Sequence, residues 1–260
     1  MLRALFAAGL MALVSTPSQA LQVQWTDWQS SSDANGFTAF GQMAKLGGGF
    51  IDVTCNNPQG VAFIQTGTGI DYFTPRTANS PYTSLWPGIG VDKAPPAAEM
   101  IALSRQGLQS LTFSEPVSNL FFSVVSLNGN GYRFIDQDFM VLSHTRADLD
   151  GSGVVDADGF WGGGTLTKNV VVEPGETFYE LIGENEPHGT IRFSGSFDQI
   201  SWESLTAENW NGFTVGIEGE TAVVDPPPPP SGEAPLPPAL ALFAAALAGL
   251  GLAGRRPRAA

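Results

Sequence analysis

LTFSEPVSNLFFSVVSL, residues Leu111 to Leu127, decides the fold class. Two runs rich in Phe, Val and Leu flank a break at Glu115-Pro116. Period-two alternation marks a half-buried strand, and proline lacks the N–H that a central strand must donate. The stretch therefore reads as a strand, a tight turn at the proline and a second strand. Offset from it by 80 residues without gaps is IRFSGSFDQISWESLTA, Ile191 to Ala207. It matches Phe193-Ser194 to Phe113-Ser114 and repeats the strand–turn–strand pattern. Two unrelated amphipathic hairpins would also look alike, and the pair is no repeat array.

Outward from this pair the same alternation recurs. LQVQWTDW, GFIDVTC, GVAFIQT, DFMVLSH, LTKNVVV, ETFYELI, GTIRFSG, DQISWESL and GFTVGIEG are short, β-branched or aromatic, and bounded by Gly, Asn, Asp or Pro. One helical turn is expected, in AAEMIAL (Ala97–Leu103), opened by Pro95-Pro96. Some eleven short strands with turn signals between them predict an all-β, jelly-roll-like β-sandwich. Cys55 is the only cysteine, so no internal disulfide can support this fold. Its place in an alternating strand predicts a buried thiol.

Both ends have other roles. MLRALFAAGLMALVSTPSQA carries Arg3, an apolar core and Ser18-Gln19-Ala20, the pattern of a secretory signal peptide over 1–20. A β-sandwich domain follows over 21–225. DPPPPPSGEAPLPP then forbids sheet and helix interior alike and predicts an extended linker over 226–238. An apolar tail helix, 239–254, precedes a basic end, 255–260, with Arg255, Arg256 and Arg258. By the positive-inside rule these arginines stay cytoplasmic.

This tripartite tail, with Ala234-Pro235-Leu236-Pro237-Pro238 as its five-residue motif, resembles the PEP-CTERM sorting signals of exported bacterial proteins, the VPLPA-CTERM variety above all. Ala234 and Pro238 stand where that motif has Val and Ala. The resemblance implies export, a single-pass inner-membrane intermediate held by the tail, and processing by an exosortase-type protease. Release to the cell surface or an extracellular matrix would follow. Residues 189–217 also resemble exported domains that accompany such tails, a likeness that carries no chemistry.

Charge narrows the partners. Residues 21–225 hold 24 Asp and Glu against 8 Lys and Arg, a net of −16. Such a surface repels phosphate backbones and excludes nucleic acid.

DLDGSGVVDADG, Asp148 to Gly159, is the best local motif. Asp148, Asp150, Ser152, the Val154 carbonyl and Asp156 fall at the positions of a calcium loop, with Gly153 at the sharp turn. Gly159 stands where such loops place a bidentate carboxylate, so Asp158 or a distant acid would have to close the site. The same residues also suit a plain polar turn, in which case there is no cofactor.

For catalysis the sequence offers little. His144 and His188 have no metal-binding or nucleophile-activating spacing, and no G-x-S-x-G elbow exists. A glycosidase needs two carboxylates across a cleft. Glu180, Glu184 and Glu186 supply acids, but spacing selects no pair. Of six tryptophans, Trp202 alternates with apolar neighbours and reads as core, whereas Trp86 and Trp210 lie beside turn residues and are the candidate ligand platforms. The expectation is a non-enzymatic, surface- or matrix-associated module that binds polysaccharide. A purely structural acidic matrix protein and a secreted carbohydrate-active hydrolase are the alternatives.

Overall fold

The computed structural model describes residues 22–77, 79–83, 91, 94–145 and 157–219. The signal peptide, the linker, the sorting motif, the tail helix and the three arginines lie outside them. Fifteen strands and no helix occur among the described residues. They are β1 (Gln22–Trp25), β2 (Asp27–Ser32), β3 (Phe37–Ala44), β4 (Phe50–Asn57) and β5 (Phe63–Thr66). Next come β6 (Glu99–Leu103), β7 (Gly107–Ser118), β8 (Leu120–Val125), β9 (Gly131–Ile135) and β10 (Phe139–His144). The last are β11 (Gly164–Glu173), β12 (Glu176–Asn185), β13 (Gly189–Phe193), β14 (Ser196–Ser204) and β15 (Asn211–Gly219).

Two antiparallel sheets share one apolar core, a β-sandwich-like arrangement. One sheet runs β10-β13-β8-β15-β6-β5, with β1 added on β15. The other runs β11-β12-β9-β14-β7-β4-β3-β2. Phe122 of β8 anchors the space between them. It stacks on Phe213 at 5.1 Å and meets Trp202 of the opposite sheet edge-on at 5.3 Å. Trp202 is fully buried, as its alternation predicts, and so is Cys55, whose thiol burial pushes far up in pKa.

The eleven sequence-read strands all occur, and β3, β6 and β9 join them. LQVQWTDW divides at Thr26, whose N–H and hydroxyl both donate to the Val215 carbonyl at 2.8 Å. There the chain passes from one sheet to the other, leaving β1 on β15 and β2 on β3.

Two expectations need correction. AAEMIAL forms no helical turn: Glu99–Leu103 is β6, paired with β5 on one side and β15 on the other. Its five consecutive buried residues reflect apolar cover on both faces, which erases alternation. Phe73 and Tyr82 supply part of that cover, packing with Met100, Ala102 and Val125. The second correction concerns the matched pair, which makes corners rather than hairpins. β7 continues past Pro116 to Ser118, and the chain turns at Asn119 (φ 51°) into the opposite sheet. Residues 113–116 have no register partner on β14, so the missing proline donor breaks no bond there. β13 turns into β14 at Gly195 in the reverse sense.

Candidate ligand-binding pocket

Antiparallel pairing sends the β8–β9, β12–β13 and β14–β15 connections to one end of the molecule. Between them opens a pocket of about 380 Å³, lined by Ser126, Asn128, Glu186, Glu208, Asn209 and Trp210, with Trp161 contributed by the chain leading into β11. Ser126 (φ 56°) and Asn185 (φ 62°) take left-handed backbone where β8 and β12 end, which re-aims the chain toward this space.

Its apolar wall is a cluster of rings. Tyr72 stacks on Trp161 at 5.0 Å and 24°, while Trp210 meets both edge-on at 5.0 and 4.9 Å. Phe63 of β5 supports Trp210 from behind at 5.0 Å. Trp161 is 37% exposed and Trp210 is half-buried, so both retain open ring surface.

The polar wall is held from below. Glu208 Oε1 accepts hydrogen bonds from Asn130 Nδ2 at 3.2 Å and from Asn211 Nδ2. Asn211 Oδ1 in turn accepts from the buried Tyr132 hydroxyl. Asn130 Oδ1 accepts from the N–H of Gly131 at 2.7 Å and from the N–H and hydroxyl of Thr206, each at 2.9 Å. Glu186 accepts from Ser126 Oγ on one oxygen and from Asn128 Nδ2 at 2.6 Å on the other. The Asn128 N–H donates to the Ser126 carbonyl at 2.8 Å, and its backbone dipole also favours the charged form of Glu208. Burial raises the pKa of Glu208, its Asn211 and Asn130 bonds pull it down, and the charge of Glu186 raises it again. Two acids thus share one pocket with an aromatic wall, fixed by a network that leaves little to reorganise on binding.

Of the sequence candidates, Trp210 lies in this pocket and Trp86 lies outside the described residues. Glu186 is there too, whereas Glu180 pairs with Arg133 at 2.7 Å and Glu184 is exposed on β12. Trp161, Glu208 and Tyr72 were not singled out. Glu208 does sit two residues before Trp210 in ENWNGF, a polar–aromatic alternation that could have flagged it.

Asp148, Asp150, Ser152, Val154 and Asp156 lie outside the described residues. Asp158 is described. Its N–H donates to Thr77 Oγ1 at 3.0 Å, its carbonyl accepts from Arg76 N–H at 3.2 Å, and its Oδ1 is buried without a hydrogen-bond partner among the described residues. An orphaned carboxylate oxygen at the end of an acidic loop fits a cation. Among the described residues no three His, Cys, Asp or Glu side chains gather as a metal cluster.

His188 is fully buried in its turn. Its Nδ1 lies 2.8 Å from the Tyr82 hydroxyl, and the Gly159 backbone presses so close to the ring that a Cβ there would sit 2.0 Å from it. Burial, with Arg76 adding, lowers its pKa to about 3, so the ring is neutral and structural. His144 bonds the Thr145 carbonyl at 2.5 Å at the end of β10.

Compared with protein-family models, curated proteins and solved structures, the chain has no match.

Proposed function

We propose that the chain is an exported, surface- or matrix-associated polysaccharide-binding module, delivered by its C-terminal sorting tail. The observation that carries this reading is the pocket, where Trp161 and Trp210 face two anchored carboxylates and two amides. A sugar ring presents apolar C–H faces and equatorial hydroxyls. Indole rings suit the faces, while Glu186, Glu208, Asn128 and Asn209 supply acceptors and donors for the hydroxyls. Strand order supports a jelly-roll reading of the sandwich. β6-β15-β8-β13 and β7-β14-β9-β12 alternate between sheets in the manner of paired Greek keys, an architecture that lectin domains use.

The test is retention of the purified full-length chain on a panel of immobilised polysaccharides. Trp161→Ala, with an unchanged melting temperature, should weaken retention about tenfold. No retention on any polymer, or retention that ignores Trp161, would refute the reading. Glu186 and Glu208 in one pocket, with Glu208 raised in pKa, favour a secreted hydrolase as the second reading. New reducing ends released in the same incubations, and lost in Glu208→Gln, would establish it.

Calcium on the Asp148–Gly159 loop belongs to the proposal as well. Asp148, Asp150, Ser152, the Val154 carbonyl, Asp156 and Asp158 would hold it, and the loop runs directly into Phe160 and Trp161. A bound ion would therefore sit beside the segment that carries the aromatic wall. Calcium should then raise the melting temperature relative to chelator. Equal melting in both, with Asp150→Ala indistinguishable from wild type, would remove the ion from the proposal.

A further inference from the structure

We infer that the pocket selects cationic sugars, polysaccharides whose residues carry free primary amines, over neutral, N-acetylated or acidic ones. This deepens the polysaccharide-binding reading and rests on it.

Charge at the pocket is one-sided. Glu186 and Glu208 line it, and among the described residues no Lys, Arg or His does. Their carboxylates lie close enough for Glu186 to raise the pKa of Glu208, so a cation between them relieves a repulsion that an uncharged ligand leaves in place. The domain as a whole, at a net −16 over residues 21–225 with these two carboxylates included, adds a field of the same sign.

The ring geometry agrees independently. Tyr72, Trp161 and Trp210 pack mutually at 4.9 to 5.0 Å, one pair stacked and the other contacts edge-on. Rings at right angles offer faces and edges to a single small volume. An ammonium beside such faces is attracted by their quadrupoles, most strongly when partly desolvated. A hexosamine matches both walls, its ammonium toward the carboxylates and its C–H face toward an indole. An N-acetyl group would cancel the charge, and a uronate would place a third carboxylate beside two.

The test is calorimetric titration of the purified full-length chain with four matched oligosaccharides of equal length. They are a β-1,4-glucosamine oligomer, its N-acetylated form, a β-1,4-glucose oligomer and a uronic-acid oligomer. Methylammonium alone serves as a fifth titrant. The glucosamine oligomer should bind at least tenfold more tightly than the neutral pair, and the uronate should not bind. Within the Glu186→Gln variant the glucosamine oligomer should bind no more than about twofold more tightly than the neutral pair, and Trp161→Ala should weaken all sugars alike. Equal affinity for the amine, acetylated and glucose oligomers would overturn the cation preference and leave the polysaccharide reading standing. Binding of methylammonium as tightly as of the glucosamine oligomer, with no glucose binding, would keep the cation site and overturn the sugar reading. Absence of binding by all five would overturn both.

Discussion

Glu99 opens β6 almost out of solvent, its Oε2 accepting the Trp28 N–H at 2.8 Å. Burial raises its pKa from 4.5 to about 7, with Asp27 adding to the rise and the Trp28 bond opposing it. The folded protein therefore binds this proton more tightly than the unfolded chain does. Between about pH 4.5 and 7 the folded state holds the extra proton, so stability falls as pH rises through that window. Glu99→Gln keeps an acceptor for Trp28 and removes the ionisation. At pH 8.5 the variant should melt above wild type, by a margin on the order of 3 kcal/mol at most. Below pH 4.5 the two should coincide. Thermal melts across that range check it, and a variant less stable at pH 8.5 contradicts the assignment. Legibility at this scale followed burial: Cys55 and Trp202 announced themselves by alternation. Glu99 did not, because a carboxylate inside a strand has no sequence signature until its neighbours are known.

The two corners explain why residues 111–127 and 191–207 look alike. β7 and β14 pair with each other in one sheet, and β8 and β13 pair in the other, so the two corners lie side by side and antiparallel. Ser196 stands opposite Ser118 before the fold-over and Arg192 opposite Phe121 after it. Each chain must leave one sheet and enter its partner within a residue or two, which requires backbone of positive φ. Asn119 supplies it in one corner and Gly195, at φ 116°, in the other. That value lies beyond the left-handed region that L residues tolerate, so the strain is in the backbone, since a Cβ would meet Phe197 Cζ only at ordinary contact, 3.4 Å. Gly195→Ala should cost about 1–3 kcal/mol. A denaturant melt within 0.5 kcal/mol of wild type would contradict the strain argument. Strand periodicity was visible in the sequence, but whether two strands share a sheet is decided by long-range pairing, which is why a corner reads as a hairpin. The same limit turned β6 into an expected helical turn: a strand covered on both faces shows no period of two. It also hid the pocket, because Trp161, Glu186 and Glu208 come from three connections that only antiparallel pairing brings together.

At the scale of the whole chain, an acidic domain with a one-sided pocket and a basic, apolar tail make one proposal about place. The 16 residues from Ala239 to Gly254 would span about 24 Å as a helix, short of a hydrocarbon core of about 30 Å. Ala and Gly dominate them, so their hold on a bilayer would be weak for a permanent anchor and adequate for a transient one. Under the proposed export, Arg255, Arg256 and Arg258 would oppose transfer of the tail end and keep the domain outside while the chain is held. In this proposal a ligand in an extracellular matrix would be reached only after release, which would join binding and sorting at the Pro-rich linker. The protein recovered from the extracellular fraction should therefore end within Ala234–Pro238, as read by mass spectrometry of its C-terminal peptide, while the membrane fraction retains chains ending at Ala260. Replacing the three arginines with neutral residues should scramble topology and reduce the released form. Intact tails in the extracellular fraction would refute processing. Intact tails confined to the inner membrane would make the linker a stalk and turn the search for amine-bearing ligands to the periplasm.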